Sequence, residues 1–137
     1  SWEGKRISLY SSGVGKVLLA WQPPEEQTRI VSQLHMEAIT PHTITCPDVL
    51  LNHLADIRRR MWAMDNEEDG LGIRCVAMPV FSVDGRVSAA VSASGPLQQI
   101  DGDMTGLLKA LNRAARAITA ALGGSYPPPR DIGAVQV

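Results

Sequence analysis

No part of this sequence is apolar over the roughly 20 residues that a membrane-spanning helix requires, and the N-terminus has no signal-like apolar segment. Cysteine is scarce. The two present, Cys46 and Cys75, are too few for a disulfide framework and lack CxxC spacing. This composition is typical of a reducing compartment, so we expect a cytoplasmic protein that makes no membrane contact.

An excess of positive charge is also missing. The chain has 13 Lys and Arg residues against 14 Asp and Glu residues, which gives a formal net charge of -1. Because proteins hold nucleic acid largely through basic side chains that displace counterions, this chain alone is expected to bind DNA poorly. Its 137 residues, 45% of them hydrophobic, are enough for one domain with a buried core.

Several catalytic and metal-binding motifs are absent as well. The GVGK stretch at residues 13–16 is not a phosphate loop, which would require glycine at Tyr10 and a hydroxyl at Val17. The SASG stretch at residues 92–95 is not the GxSxG of a serine hydrolase. No zinc-finger or HExxH spacing relates the candidate metal ligands, which are His35, His42, His53, Cys46 and Cys75. We therefore predict no metal and no cofactor.

Helical signals occur at residues 11–20, 24–34, 47–61 and 103–122. The first stretch begins with Ser11 and Ser12, whose hydroxyls suit a helix cap, and the second begins with two prolines. In the third, the three arginines at 58–60 fall largely outside the apolar stripe, and we expect them to form a solvated face rather than the alternative, a phosphate site. Gly123 and Gly124 end the fourth, and the proline-rich residues 125–137 predict a flexible tail after a domain at residues 1–124.

Two strands are predicted at residues 73–81 and 86–94, because β-forming residues flank a turn that ends in Asp84-Gly85. A two-residue turn would place Cys75 opposite Ser94, whereas a four-residue turn would place Cys75 opposite Ser92. Since side chains alternate along a strand, both registers put these three residues on one face of the sheet.

Two hydroxyls and a thiol among small alanines form a shallow polar floor, a surface suited to fixing a small ligand. The alternative is that these small residues only let a helix pack closely. Geometry alone leaves both interpretations open.

The acid-rich stretch DNEEDGLGIRC, residues 65–75, raises a similar choice. Four carboxylates and two glycines precede an apolar strand. The stretch is either a solvated loop or the rim of a pocket whose floor is that strand.

The chain resembles the effector-binding domain of the IclR family of bacterial transcription regulators. The resemblance rests on TPHTIT, on IRRRMWAMDNEEDGLGIRCVAMPVFSVDGRVSAAVSASGP and on the ITAALG end of the last helix. SSGVGKVLLA also resembles the family's GKALLA helix, although Tyr10 stands where many members have histidine. The resemblance implies an α+β fold: a GAF-like domain with a curved antiparallel sheet flanked by helices.

It also implies a ligand, a small carboxylate or aromatic acid. The ligand contacts that the resemblance implies are Gly13, Val14, Asp65, Cys75, Ser92 and Ser94. Because backbone N–H groups at the start of the first helix would bind an acid, we add Ser12 to the site. Asp65 would stand at the pocket edge, and Glu67, Glu68 and Asp69 would mostly form a solvated rim.

We expect these residues to depart from a complete regulator, which would also have a winged helix-turn-helix and the family's first strands of the effector domain. We expect DNA contact only through the absent N-terminal domain, and a homo-oligomer, dimer or tetramer, formed through the exposed sheet edge. Two further hypotheses remain open: a small hydrolase that uses Cys75, and a purely structural dimerisation module.

Overall fold

The computed structural model describes residues 7–128. Its elements are α1 (Gly13–Ala20), α2 (Pro24–Gln33), α3 (Pro47–Arg60), β1 (Ala63–Asn66), β2 (Ile73–Phe81), β3 (Val87–Pro96), α4 (Leu97–Gly102) and α5 (Met104–Ala121). The four predicted helices and both predicted strands are confirmed. β1 and α4 were not predicted, because four and six residues are too few to show a periodic pattern.

The three strands form one antiparallel sheet in the order β1-β2-β3. Side chains alternate between its two faces, and each face packs against helices. One face meets α1, α2 and α3 in a core that includes Val17, Leu54, Ile57, Ala77 and Phe81. The other meets α4 and α5 in a second core that includes Val76, Met78, Leu108, Leu111 and Ala115. The predicted α+β class with flanking helices is confirmed.

In the hairpin between β2 and β3, Cys75 pairs with Ser94, but the loop and the pairing that produce this register differ from both predicted turns. Ser82 N–H donates to the Arg86 carbonyl, so the loop has three residues rather than two or four. Gly85 supplies the positive φ of 81° that this turn requires. A shift between Val80 and Phe81 then moves the pairing by one residue. Turn and bulge together restore the register of a two-residue turn.

Residues after α5 return to the sheet. The Tyr126 hydroxyl donates to the Pro79 carbonyl at 2.9 Å, and the Tyr126 ring meets the edge of Phe81 with centroids 5.1 Å apart. Pro79 lies beyond the end of the β1 pairing, where its missing N–H leaves no ladder bond unmade. Most of the predicted tail, residues 129–137, lies outside the described residues. Among the helices of residues 7–128, none combines the length and apolar character needed to cross a membrane.

The three arginines at the end of α3 differ from one another. Arg59 is exposed and pairs with Asp56, as expected of a solvated face. Arg58 instead lies against α1, and its guanidinium donates to the carbonyl of Ala20 at 3.4 Å. Arg60 stacks on Trp62. The prediction of a solvated face is therefore wrong for Arg58 and Arg60, because their long side chains fold back over neighbouring elements.

Candidate small-molecule site

The start of α1 lies directly on the sheet. Ser12 caps the helix: its Oγ accepts the Gly15 N–H at 2.9 Å and donates to the Ser8 carbonyl at 2.5 Å. A Cβ added at Gly13 would lie only 3.2 Å from Cys75 Sγ, so glycine is what allows this close approach. The Ser12 hydroxyl is thus occupied by the cap, and only backbone N–H groups remain at this helix start for a ligand.

Cys75 is half-buried beneath that helix start. Burial raises the pKa of its thiol, and the nearby Asp65 carboxylate raises the pKa further. Hydrogen bonds from Ser92 and from the Gly13 N–H act in the opposite direction but do not reverse the shift. The thiol is therefore protonated at neutral pH, which is the reverse of what a nucleophilic cysteine needs.

Ser94 pairs directly with Cys75, and Ser92 pairs with Ala77, so both serines lie on the α1 side of the sheet. The side chains of Ser92 and Ser94 are exposed, while Val14 on α1 is half-exposed. The structure thus brings Gly13, Cys75 and Ser92 into contact and places Ser94 beside them. Cys75, Ser92 and Ser94 thus lie together on one face as predicted, and the two serines on β3 are exposed to solvent.

Asp65 lies on the other side of Cys75, opposite it in β1. Its side chain is buried, and Oδ1 accepts the backbone N–H groups of Glu68 at 2.8 Å and Asp69 at 3.3 Å. Burial raises the pKa of this carboxyl, partly offset by those two hydrogen bonds. Asp65 therefore holds the acidic loop through hydrogen bonds to the loop's own backbone. The ligand contact implied for Asp65 stays a prediction.

The expectation that the acidic loop is mostly a solvated rim is wrong for Glu68. The Glu68 side chain is only 6% exposed, and its carboxylate accepts from Lys16 Nζ at 2.8 and 3.0 Å, while the Lys16 side chain is fully buried. Glu67 is half-buried. Asp69 is exposed yet accepts the Ser11 hydroxyl at 2.6 Å. Buried charges require partners, so a lysine inside the apolar run of α1 was a signal that an acid would be found beside it.

Lys16 and Glu68 together cover the edge of β1 that has no neighbouring strand among the described residues. Lys16 Nζ donates to the Met64 carbonyl at 2.5 Å, and Glu68 Oε2 accepts the Asn66 N–H at 2.8 Å. Lys16 Nζ also lies 3.0 Å from Nε2 of His53. Burial and the Lys16 charge lower the pKa of His53 to about 4. His53 is therefore neutral at pH 7 and accepts at Nε2. No local pattern around His53 indicates this role.

Within residues 7–128, no set of three or more His, Cys, Asp and Glu side chains converges in a way that could hold a metal ion. The groups that do converge are a helix start, two hydroxyls and a protonated thiol. They are suited to hydrogen bonding.

An antiparallel sheet between two groups of helices defines the chain as an α+β domain. The chain belongs to a specific family of this class, since residues 1–120 match the model of the bacterial transcriptional regulator IclR C-terminal domain. The GAF-like fold implied by the sequence is confirmed by solved domains of this family.

Three relatives illustrate the match. The HTH-type transcriptional regulator RhmR of Escherichia coli, itself uncharacterised, is 46% identical over 93% of this chain and 49% of its own length. The solved C-terminal domain of the E. coli regulator KdgR is 38% identical with a TM-score of 0.82, covering 88% of this chain and 74% of that one. A double mutant of the PobR inducer-binding domain from Acinetobacter, in complex with 3-hydroxybenzoic acid, is 25% identical with a TM-score of 0.79, over 85% and 67% of the two chains. The chain spans about half the length of the curated relatives it matches.

Proposed function

We propose that this domain senses a small carboxylate or aromatic acid through the α1 side of its sheet. One observation supports the proposal most directly: the start of α1 lies against Cys75, and the pairing of Cys75 with Ser94 places Ser92 and Ser94 on the same face of the sheet. The residues assigned to the site are Ser12, Gly13, Val14, Asp65, Cys75, Ser92 and Ser94. No chemical step is assigned to them.

The chemistry of these groups favours an anion. The positive end of the helix dipole at the α1 start attracts a carboxylate, and the Val14 N–H is available to it, whereas the Gly13 N–H is directed at the Cys75 thiol. The exposed hydroxyls of Ser92 and Ser94 provide two further donors. The close contact between Gly13 and Cys75 leaves no room for a ligand between them, so the acid would lie on the open side, next to the two serines. The 3-hydroxybenzoic acid complex of the PobR domain supports an acid as the ligand class.

Control of DNA binding would come through a winged helix-turn-helix domain, which residues 1–137 do not include. A ligand can bias such a domain only if it binds more tightly to one arrangement of subunits than to another. We propose a homodimer or tetramer for this reason, and because β3 has a neighbouring strand on one side only within the described sheet. A regulator of this kind would act in the cytoplasm.

The two alternatives make different predictions. A hydrolase that uses Cys75 needs a lowered thiol pKa, whereas burial and Asp65 raise that pKa. A purely structural dimerisation module would gain no stability from any metabolite.

The proposal is tested by thermal unfolding of the chain with a panel of aliphatic and aromatic carboxylates beside their neutral amides. A ligand that binds only the folded state raises the melting temperature. We expect stabilisation by at least one acid and none by its amide. Failure of every acid to stabilise the protein would contradict the proposal.

A further inference from the structure

A separate cavity of about 370 Å³ lies beside the edge of β1, away from Ser92 and Ser94. Its walls come from α3, from β1 and from the segment before α3. The residues that matter for its chemistry are Ile44, His53, Arg60, Trp62, Met64 and Asn66. None of them belongs to the effector site proposed above.

Arg60 brings a positive charge to this cavity that no described carboxylate neutralises. Its guanidinium is half-buried, lies 4.1 Å from the centre of the Trp62 ring, and donates from Nε to the Trp62 carbonyl at 2.8 Å. The charges of two acids act on it, but Asp56 pairs with Arg59 at 2.6 Å and Glu68 pairs with Lys16. Burial lowers the pKa of Arg60, while the charges of Asp56 and Glu68 act in the opposite direction.

The polar groups around Arg60 are mainly donors. Asn66 Oδ1 accepts from Arg74 Nε at 3.0 Å and Nη2 at 2.8 Å, so the amide nitrogen of Asn66 keeps its two N–H groups. His53 uses Nε2 to accept from Lys16, so its proton is on Nδ1. The carboxylate of Glu68 also lines the cavity, but Lys16 neutralises it.

Apolar side chains complete the walls. Trp62, Met64 and Ile44 are all partly exposed at this edge, and the volume lies within the usual range for small-ligand pockets. An unpaired guanidinium next to an aromatic ring suits a carboxylate joined to a flat apolar body, because guanidinium and carboxylate form two parallel hydrogen bonds.

We propose that this cavity is a second small-molecule site, which takes a monocarboxylate with a compact apolar or aromatic body and binds its carboxylate on Arg60. The bound acid supplies the negative charge that Asp56 and Glu68 do not. Trp62 and Ile44 cover the body of the ligand, and Asn66 donates a further hydrogen bond.

The site is tested with benzoate as the probe and benzamide as its neutral counterpart, by following the indole N–H signal of Trp62 in nitrogen–proton correlation spectra. The Trp62→Phe variant assigns that signal. We expect benzoate to shift it saturably and benzamide to bind at least about tenfold more weakly. Arg60→Gln should weaken benzoate binding by about tenfold or more. The matched control is Arg58→Gln, on the same helix but with its guanidinium against α1 and outside the cavity, and it should change the affinity by less than about twofold.

Equal affinity for benzoate and benzamide would overturn the proposal, as would an unmoved Trp62 signal at millimolar benzoate. If Arg60→Gln fails to fold, the comparison of acid and amide on the unsubstituted chain decides alone. The Ser92→Ala/Ser94→Ala variant separates the two sites. The Trp62 shift should persist in it, and loss of the shift there would assign the signal to the effector site and refute a second one.

Discussion

Lys16 Nζ lies 2.8 Å from Glu68 Oε1 inside the protein, with Lys16 fully buried and Glu68 almost so. The pair joins α1 to the loop after β1, and it satisfies the Met64 carbonyl and the Asn66 N–H at the strand edge. An acidic loop that the sequence presents as surface is therefore partly a core element. It fixes α1 over the sheet and thereby sets the position of the proposed effector site.

Removing one member of this pair should be strongly destabilising. Lys16→Met leaves the Glu68 charge buried without its partner, and breaking buried pairs in this way costs about 3–5 kcal/mol. Adding Glu68→Gln removes the orphaned charge and keeps an acceptor for the Asn66 N–H, so the double variant should be more stable than Lys16→Met alone. Urea unfolding measures both, and a double variant less stable than Lys16→Met would contradict this account of the pair.

Two glycines in α1 should differ in their tolerance of alanine. A Cβ at Gly15 would lie 2.0 Å from the Ser8 carbonyl oxygen, so the backbone must move, and Gly15→Ala should cost about 3 kcal/mol or more. A Cβ at Gly13 meets Cys75 Sγ at 3.2 Å and Ala77 Cβ at 3.3 Å, so a smaller loss of about 1 kcal/mol is expected. Equal losses of unfolding free energy in the two variants would show that the contact at Gly15 is not restrictive.

His53 should contribute to the pH dependence of stability. Its pKa is about 4 in the folded protein and near 6.5 when unfolded, so the unfolded chain binds the extra proton first as the pH falls. Stability due to His53 is present above pH 6.5 and is lost between pH 6.5 and 4. Because the ring is only partly buried, we expect a loss of about 1–3 kcal/mol over that interval.

The comparison with His53→Gln isolates this effect, since glutamine can accept from Lys16 without titrating. Asp65, whose raised pKa acts in the opposite direction, is common to both proteins. The unfolding free energy of the variant should fall less steeply on acidification. Parallel pH profiles would mean that His53 does not titrate differently in the two states.

The two cysteines should react at different rates. Cys46 is exposed, while Cys75 is half-buried with a thiol pKa raised by burial and by Asp65. Iodoacetamide at neutral pH should therefore modify Cys46 first, as followed by peptide mass spectrometry, and Cys46→Ser should leave a chain that reacts slowly. Faster modification of Cys75 than of Cys46 would instead favour the hydrolase hypothesis.

Long periodic elements could be predicted from the sequence. Local patterns predict the apolar stripe of α3, the glycines that end α5, and the alternation of side chains in β2 and β3. The same alternation predicts that Cys75, Ser92 and Ser94 share one face of the sheet. The register itself remained open, because it depends on a three-residue loop combined with a bulge. Neither of these has a distinctive sequence signal.

Contacts between distant residues were not predictable in this way. Lys16 and Glu68 are 52 positions apart, and Tyr126 meets Pro79 from 47 positions away. Local spacing carries no information about such pairs. The unpaired charge of Arg60 was missed for the same reason, since three adjacent arginines look alike until their partners are known.

The central claim is that an acid binds at the α1 start and the two serines of β3. Its most direct test is titration calorimetry of the carboxylate that most stabilises the parent chain, applied to Ser92→Ala/Ser94→Ala, with Ser88→Ala on the same strand as the control. Hydrogen bonds to a charged group are worth about 1.5–3 kcal/mol each, so the double variant should bind at least about tenfold more weakly while melting near the parent temperature. The control should bind like the parent. Unchanged affinity in the double variant would place the acid elsewhere and contradict the account.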